Sequence, residues 1–187
     1  VDTVKNIWLT SKFSSIIEKI IQDNFSGKHI TYCDLGNNPS LPFEINVSSY
    51  IKVKKTIIAT NNNDAFLDLN NYFSYRKSPE TERLDIADIK NISSHNPDII
   101  SIVFNSDNLK LLNNMIEICP KAAIVFYGKL DISKETYSNY NICNYSSIVA
   151  TKLNSGKTIN HYSDIIEEEI NKEEECDDNK IYLLIPK

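Results

Sequence analysis

Metal-binding clusters, disulfide frameworks and long apolar runs are all missing from this sequence. The four cysteines stand far apart with no C-x-x-C pair, and the three histidines are equally isolated: Cys33, Cys119, Cys143, Cys176, His29, His95 and His161. We therefore expect no structural metal and no disulfide framework. No run approaches the roughly 18 apolar residues that a membrane span needs, and no signal-peptide pattern opens the chain. We expect a soluble, cytoplasmic protein without a membrane partner.

An excess of positive charge is also lacking. The chain carries 20 Lys and Arg against 25 Asp and Glu, which gives a formal net charge of −5 at pH 7. Proteins that coat nucleic acid bind phosphates with clustered Lys and Arg. The overall charge therefore does not indicate nucleic acid as a partner.

The remaining composition is that of a globular domain. With 187 residues, of which 41% are hydrophobic and 24% charged, the chain is long enough for one sizeable core and short for two. We predict a single domain over residues 1–187. A three-and-four spacing of apolar residues predicts an opening helix over 4–25, and Gly27 is suited to cap its end. Residues 1–27 would pack on the domain as an N-terminal helix.

Strand and helix patterns alternate through the rest of the chain. The predicted strands cover 29–35, 55–61, 83–89, 97–105, 122–128, 146–153 and 180–186, and the predicted helices cover 64–75, 107–120 and 133–140. This alternation predicts an α/β fold, a Rossmann-like three-layer sandwich with a mostly parallel sheet and helices on both faces. The acidic segment 164–178 is predicted to be a solvated helix and loop.

Polar residues follow three of the predicted strands. Asp34 and Gly36 end the first strand, residues 61–64 end the second, and Asp88 follows the third. Each step between these clusters has about the length of one strand-helix-strand unit. Ligands of parallel sheets bind beyond the carboxyl ends of the strands, near the point where the strand order reverses. We expect the three clusters to converge on that edge.

At these residues the chain resembles the class I S-adenosylmethionine-dependent methyltransferases. The resemblance rests on "YCDLGNNPS" as a strand ending in an acid-x-glycine turn, on the lead-in "FSGKH", and on "ATNNND" and "IADIKN" after the second and third strands. It implies S-adenosylmethionine as the cofactor. Asp34 and Gly36 would face its methionine part, Asn62 or Asp64 its ribose, and Asp88 its adenine, because carboxylates accept hydrogen bonds from hydroxyl and amine groups.

Three features depart from that family. Gly36 is the only glycine of the turn, Asn37 stands where further glycines are usual, and asparagines fill most of the ribose position. The stretch after the fourth predicted strand is "FNSDN", whereas members that methylate the amino groups of bases have Asp/Asn-Pro-Pro-aromatic there. We identify no catalytic base. A catalytically inactive, partner-binding subunit with the same fold fits the same residues.

Two other interpretations remain open. "GNNPSL" resembles the "GNGPSL" turn of bacterial sialyltransferase-like proteins, which bind activated sugars; there Asn37 and Ser40 would contact the nucleotide, helped by Asn61, Asn105 and Ser155. Alternatively, Asp34 is a turn former, Gly36 a strand end and Asp88 a solvated acid. A tyrosine-rich surface of Tyr72, Tyr75, Tyr137 and Tyr140 could bind a protein partner, although scattered aromatics more often pack in a core.

Overall fold

A single mixed sheet forms the centre of the fold. The computed structural model describes residues 27–36, 52–64, 80–144 and 180–187, together with individual positions between 13 and 25 and residues 41, 42, 45 and 67. Within this part of the chain the sheet has seven strands. They are Ile30–Leu35 (β1), Val53–Thr60 (β2), Glu80–Asp85 (β3), Ile99–Ile102 (β4), Ala123–Gly128 (β5), Tyr140–Asn144 (β6) and Lys180–Pro186 (β7).

The strand order is β3-β2-β1-β4-β5-β7-β6. β1 to β5 run parallel, while β7 is antiparallel to both of its neighbours, β5 and β6. All five parallel strands therefore end at the same edge of the sheet, which we call the carboxyl edge. The order reverses between β1 and β4, and this switch point is where open α/β sheets place their ligands.

Both faces of the sheet are covered. Every residue of β1 and of β4 is buried, as expected for parallel strands that pack on both sides. Because successive side chains point to opposite faces, the strands supply two separate core clusters. One contains Tyr32 and Val125, and the other contains Cys33 and Phe126.

One face is covered by segments whose bounds are described. The helix Asn108–Ile118 (α1) packs on the sheet with Leu111, Leu112 and Met115, and the 3-10 segment Ile86–His95 adds Ile92. On the other face, helical residues of the opening segment belong to the core: Phe13, Ile17 and Ile20. Only parts of these helical layers are described, so the prediction of complete helical layers on both faces of the sheet stays a prediction. None of the helices in the described residues is long and apolar enough to cross a membrane.

The third strand differs from its prediction. We expected a strand over 83–89, but β3 covers Glu80–Asp85 and the chain then enters the 3-10 segment Ile86–His95. The side chain of Asp85 accepts a hydrogen bond from the backbone N–H of Ala87 at 3.0 Å. Such local Asp bonds compete with a strand ladder. The alternation of apolar and polar residues over 83–89 therefore did not form a strand throughout, because Asp85 caps the following 3-10 segment and ends the strand there.

The region after β5 also differs from its prediction. A short helix was expected over 133–140, whereas the structure has a three-residue 3-10 segment, Glu135–Tyr137, followed by β6. β6 pairs only with β7 in the described sheet and is mostly exposed. An edge strand of this kind carries little apolar pattern, so its sequence did not indicate it. The predicted strand 146–153 and the acidic segment 164–178 lie outside the described residues.

Candidate functional site

Asp34 is a buried carboxyl group at the carboxyl end of β1. Asp34 is only 1% exposed to solvent. Asp34 pairs in register with Ser101 of β4, and Tyr32 lies on the same face of β1 two residues earlier. The Ser101 hydroxyl donates to Asp34 Oδ1 at 2.5 Å, and Tyr32 Oη lies 2.5 Å from Ser101 Oγ. Three polar side chains are thus connected inside the core.

The two oxygens of this carboxyl group have different environments. Oδ1 accepts from Ser101 and, at 3.5 Å, from the Tyr32 hydroxyl. The Tyr32 hydroxyl has a single proton, so it can donate to Ser101 Oγ or to Asp34 Oδ1 but not to both at once. Oδ2 is buried and has no hydrogen-bond partner among the described residues. A buried acceptor without a partner is costly, so Oδ2 would gain from a donor supplied by a ligand.

Burial dominates the titration of Asp34. Loss of water raises the pKa of Asp34 from 3.8 to about 7, and the hydrogen bonds from Ser101 and Tyr32 counteract only part of this shift. Burial also raises the pKa of Tyr32 and of Cys33, and the nearby carboxyl group is the second cause for both. The carboxyl group therefore changes its charge close to neutral pH.

Gly36 brings the turn after β1 close to the exit of β4. A Cβ atom added to Gly36 would lie 3.3 Å from Asp34 Oδ2 and 3.5 Å from the Cβ atom of Phe104. The missing side chain of Gly36 therefore lets the turn lie close to the unpartnered oxygen, as glycine does where a backbone makes a close approach. Asn37, the next predicted ligand-binding residue, lies outside the described residues.

The chain after β2 forms a compact turn. The N–H of Asn62 donates to Thr60 Oγ1 at 2.9 Å, and the N–H of Asp64 donates to Asn62 Oδ1 at 3.2 Å. The side-chain oxygen of Asn62 thus holds the turn in place, and the Asp64 side chain is exposed beside it. Of the two predicted ribose-binding residues, Asp64 has the exposed carboxylate.

Asp88 lies in the 3-10 segment that follows β3. Its backbone, with φ −97° and ψ 24°, forms a kink within that segment, and its side chain is exposed. β3 is two strands away from β1 across the sheet. With about 4.8 Å between neighbouring strands, the ends of β1 and β3 are about 10 Å apart. The structure therefore places Asp88 on the same edge as Asp34 but not in contact with it.

Asn105 lies in the loop between β4 and α1, beside a cavity at the ends of β4 and β5. Asn105 Oδ1 accepts a hydrogen bond from the N–H of Asp107 at 3.2 Å. The cavity has a volume of about 330 Å³, and Asn105 and Asn108 are among the residues that line it. The Asn108 side-chain amide donates to the carbonyl oxygens of Val103 and Tyr127 at 2.8 and 2.7 Å. These two hydrogen bonds from one side chain hold the two strand ends together.

Tyr32 and Ser101, the two residues that contact the Asp34 carboxyl group, were not among the predicted site residues. A signal was present for Ser101, because it is the one polar residue in the apolar run "IISIVF". A hydroxyl in a strand buried on both faces needs a partner, and the acid at the end of β1 was the available candidate. Tyr32 gave no comparable signal.

The prediction of a tyrosine-rich partner surface is wrong for two of its four residues. Tyr137 and Tyr140 are only 4% and 6% exposed, and their hydroxyls donate to Asn113 Oδ1 and to the carbonyl oxygen of Pro120. Both rings pack in the core, where tyrosines satisfy their polar end with a hydrogen bond. Tyr72 and Tyr75 lie outside the described residues.

Comparison with known proteins shows a similar fold and no sequence relative. No family model and no curated protein sequence matches the chain. Two crystal structures of MtNAS are similar in fold. A variant of it has a TM-score of 0.55 at 8% identity and covers 99% of this chain and 64% of its own, and the complex with MTA and tNA has 0.53 at 7%, covering 95% and 60%.

The CurJ carbon methyltransferase is also similar, with a TM-score of 0.52 at 9% identity, covering 94% of this chain and 53% of its own. The chain thus spans between about half and two thirds of the length of these three structures. Identities this low establish the fold alone. The chain has a Rossmann-like, methyltransferase-like fold with a mixed sheet.

Proposed function

We propose that this protein binds S-adenosylmethionine at the carboxyl edge of the sheet, as a methyltransferase-like protein whose methyl acceptor is unidentified. In this proposal the turn from Asp34 to Gly36 faces the methionine part of the cofactor. Asp64 and Asn62 face the ribose, Asp88 faces the adenine, and Asn105 borders the site from the loop after β4.

One observation carries the proposal: the buried, unpartnered Oδ2 of Asp34 lies beside Gly36 at the switch point of the sheet. The ammonium group of the cofactor's methionine part is a cationic hydrogen-bond donor. Such a donor would satisfy Oδ2 and stabilise the ionised carboxylate, since charge-assisted hydrogen bonds are about twice as strong as neutral ones. Gly36 would let the ligand approach.

The sheet supports the remaining assignments through its dimensions. The ends of β1, β2 and β3 form a row of about 10 Å, and the predicted residues follow these strands in that order: Asp34, Asp64 and Asp88. A nucleoside that carries an amino-acid chain is long enough to extend along such a row. The amino-acid end would lie at the switch point, and the base would lie at the outer strand.

Calorimetric titration of the purified protein tests the proposal. S-adenosylmethionine and S-adenosylhomocysteine are compared with cytidine and uridine nucleotides under the same conditions. Binding of the adenosyl ligands alone supports the proposal. Binding of the cytidine or uridine nucleotides alone would favour the sugar-nucleotide interpretation of "GNNPSL". Absence of binding by both groups would favour an inactive subunit that binds a protein partner.

Asp88→Ala is expected to weaken the binding of S-adenosylhomocysteine by about tenfold, which corresponds to about 1.4 kcal/mol, because one hydrogen bond to a charged group is lost. The measurement is the dissociation constant from the same titration. Glu117→Ala is the matched control, since it removes an exposed carboxylate near the end of α1 at the opposite edge. Equal affinity of the Asp88 variant and the wild type would remove Asp88 from the site.

The affinity for S-adenosylhomocysteine is expected to rise with pH below pH 7. Asp34 is neutral there, and a ligand ammonium group favours its ionised form, so affinity should rise about tenfold per pH unit between pH 5 and 6. Methylthioadenosine lacks the amino-acid part, so its affinity should stay constant. Titrations of both ligands from pH 5 to pH 8 provide the comparison. The same pH dependence for both would place the ammonium group away from Asp34.

A further inference from the structure

Two neighbouring cavities lie at the ends of β4 and β5. The first is the cavity of about 330 Å³ described above, which we call the strand-end cavity. The second has a volume of about 390 Å³ and is lined by Lys129, Lys134, Leu109, Tyr137 and Tyr182 among others; we call it the lysine cavity. Leu109 and Lys129 line both. The two cavities therefore adjoin at these two residues, and we call the pair the groove.

The size of the groove fits a small molecule. Sites for small molecules typically have volumes of about 300–1,000 Å³ with apolar walls and a few polar groups, and each of the two cavities is within this range. Leu109 is 45% exposed at the junction of the cavities. It offers an apolar contact that the described residues leave uncovered.

The charge of the lysine cavity favours an anionic group. Lys129 and Lys134 line it together with one acid, Asp131. The carboxylate of Asp131 accepts hydrogen bonds from the N–H and the hydroxyl of Ser133 at 3.1 and 2.6 Å. These bonds, the hydroxyl bond first, hold the pKa of Asp131 below its usual value. The charge of Lys134 also lowers this pKa, so Asp131 offsets part of the positive charge, but the two lysines outnumber it.

The strand-end cavity lies one residue away in the chain from Phe104, which approaches the turn that we assign to the cofactor. Val103 and Asn105 line this cavity, and Phe104 lies between them in the chain. The Cβ atom and the N atom of Phe104 would lie 3.5 and 3.6 Å from a Cβ atom on Gly36. A molecule in the groove would thus have one end near the turn and the other end at the lysines.

We propose that the groove binds a small anionic molecule with an apolar body, with its anionic group at Lys129 and Lys134 and its body along Leu109. The proposal that the groove binds such a molecule depends only on these cavities and their charges. Its role as the site of the methyl acceptor rests on the proposed function, because only then does the end near Gly36 receive a methyl group.

The test uses a naphthoate as the anionic probe and the matching naphthamide as its neutral control, each titrated into the full chain. The naphthoate should bind about fivefold more tightly, since a partly exposed ion pair contributes about this much. Lys134→Gln should remove the difference. Lys121→Gln should retain it, because Lys121 lines a cavity of about 410 Å³ before β5, at the opposite edge.

Three results would contradict binding of an anion in the groove. They are equal affinity for the two probes, absence of naphthoate binding, and an equal effect of the two lysine variants. S-adenosylhomocysteine is titrated in the same series. If it binds and the naphthoate does not, the groove is wrong and the proposed function stands. If the naphthoate binds and S-adenosylhomocysteine does not, the groove stands and its role as an acceptor site is wrong.

Discussion

Replacing Asp34 with Asn is expected to remove a pH-dependent loss of stability of about 4 kcal/mol between pH 4 and pH 8. The wild-type carboxyl group has a pKa of about 7 when folded and 3.8 as its ordinary value. Its contribution to stability is therefore fully present below pH 3.8 and is lost as the pH rises through about 7. An amide in its place does not titrate, so this part of the pH dependence should disappear.

The sign of the difference between the two proteins should reverse with pH. The amide introduced by Asp34→Asn keeps an acceptor oxygen for Ser101 but leaves two N–H donors without a partner, where the neutral carboxyl group has a single O–H, and this costs about 1–3 kcal/mol. The variant should therefore be less stable than the wild type at pH 4 and more stable at pH 8. Urea unfolding at several pH values measures both free energies.

Asp107→Asn makes the same chemical change at an exposed carboxylate and controls for the loss of one negative charge. A difference between wild type and the Asp34 variant that stays constant from pH 4 to pH 8 would contradict the burial of an ionisable carboxyl group at this position.

Gly36→Leu is expected to lower the affinity for S-adenosylhomocysteine by at least about 100-fold, a change of about 2.7 kcal/mol in binding free energy. A Cβ atom alone would already lie 3.3 Å from Asp34 Oδ2, and the leucine side chain adds three further carbon atoms. It would fill the space in which we place the ligand ammonium group. Calorimetric titration measures the loss of affinity.

The control for this variant must separate a blocked site from a weakened fold. Overpacking at Gly36 costs about 1–3 kcal/mol of stability. Gly27 has a φ of 78°, which strains any side chain, yet a Cβ atom there would meet no atom within 4 Å. Gly27→Ala should therefore lose stability and keep its affinity. Retained binding by Gly36→Leu would show that the ligand does not use the turn.

Strands with an apolar run could be located from the sequence, although β4, predicted over 97–105, covers only Ile99–Ile102. The observed β1, β5 and β7 lie within one residue of their predicted bounds, because their apolar runs exclude most other structures. The observed β3 and β6 did not follow their predictions. At β3 a single capping bond of Asp85 decided where the strand ends, and at β6 the strand is defined by its neighbour β7 and not by its own side chains.

The candidate site was predictable in its location but not in its chemistry. The alternation of strands and helices placed Asp34 and Gly36 at the carboxyl end of the first strand, whereas the strand order that makes this end a switch point came from the structure. The pKa of Asp34 depends on complete burial and on hydroxyls, one of which comes from Ser101 of β4, 67 residues away. Contacts between distant residues leave no local pattern, so the unpartnered oxygen could only be found in the structure.

The position of β7 has a consequence for how the protein is made. β7 lies between β5 and β6, although both precede it in the chain, and Leu184 pairs with both Ile124 and Ile142. During synthesis, β5 and β6 emerge from the ribosome before the strand that joins them. Their backbone edges stay open until residues 180–186 arrive, and pairings between residues so far apart in sequence form slowly. A nascent chain of this protein therefore carries two exposed strand edges until β7 is in place, and unpaired strand edges are prone to aggregation.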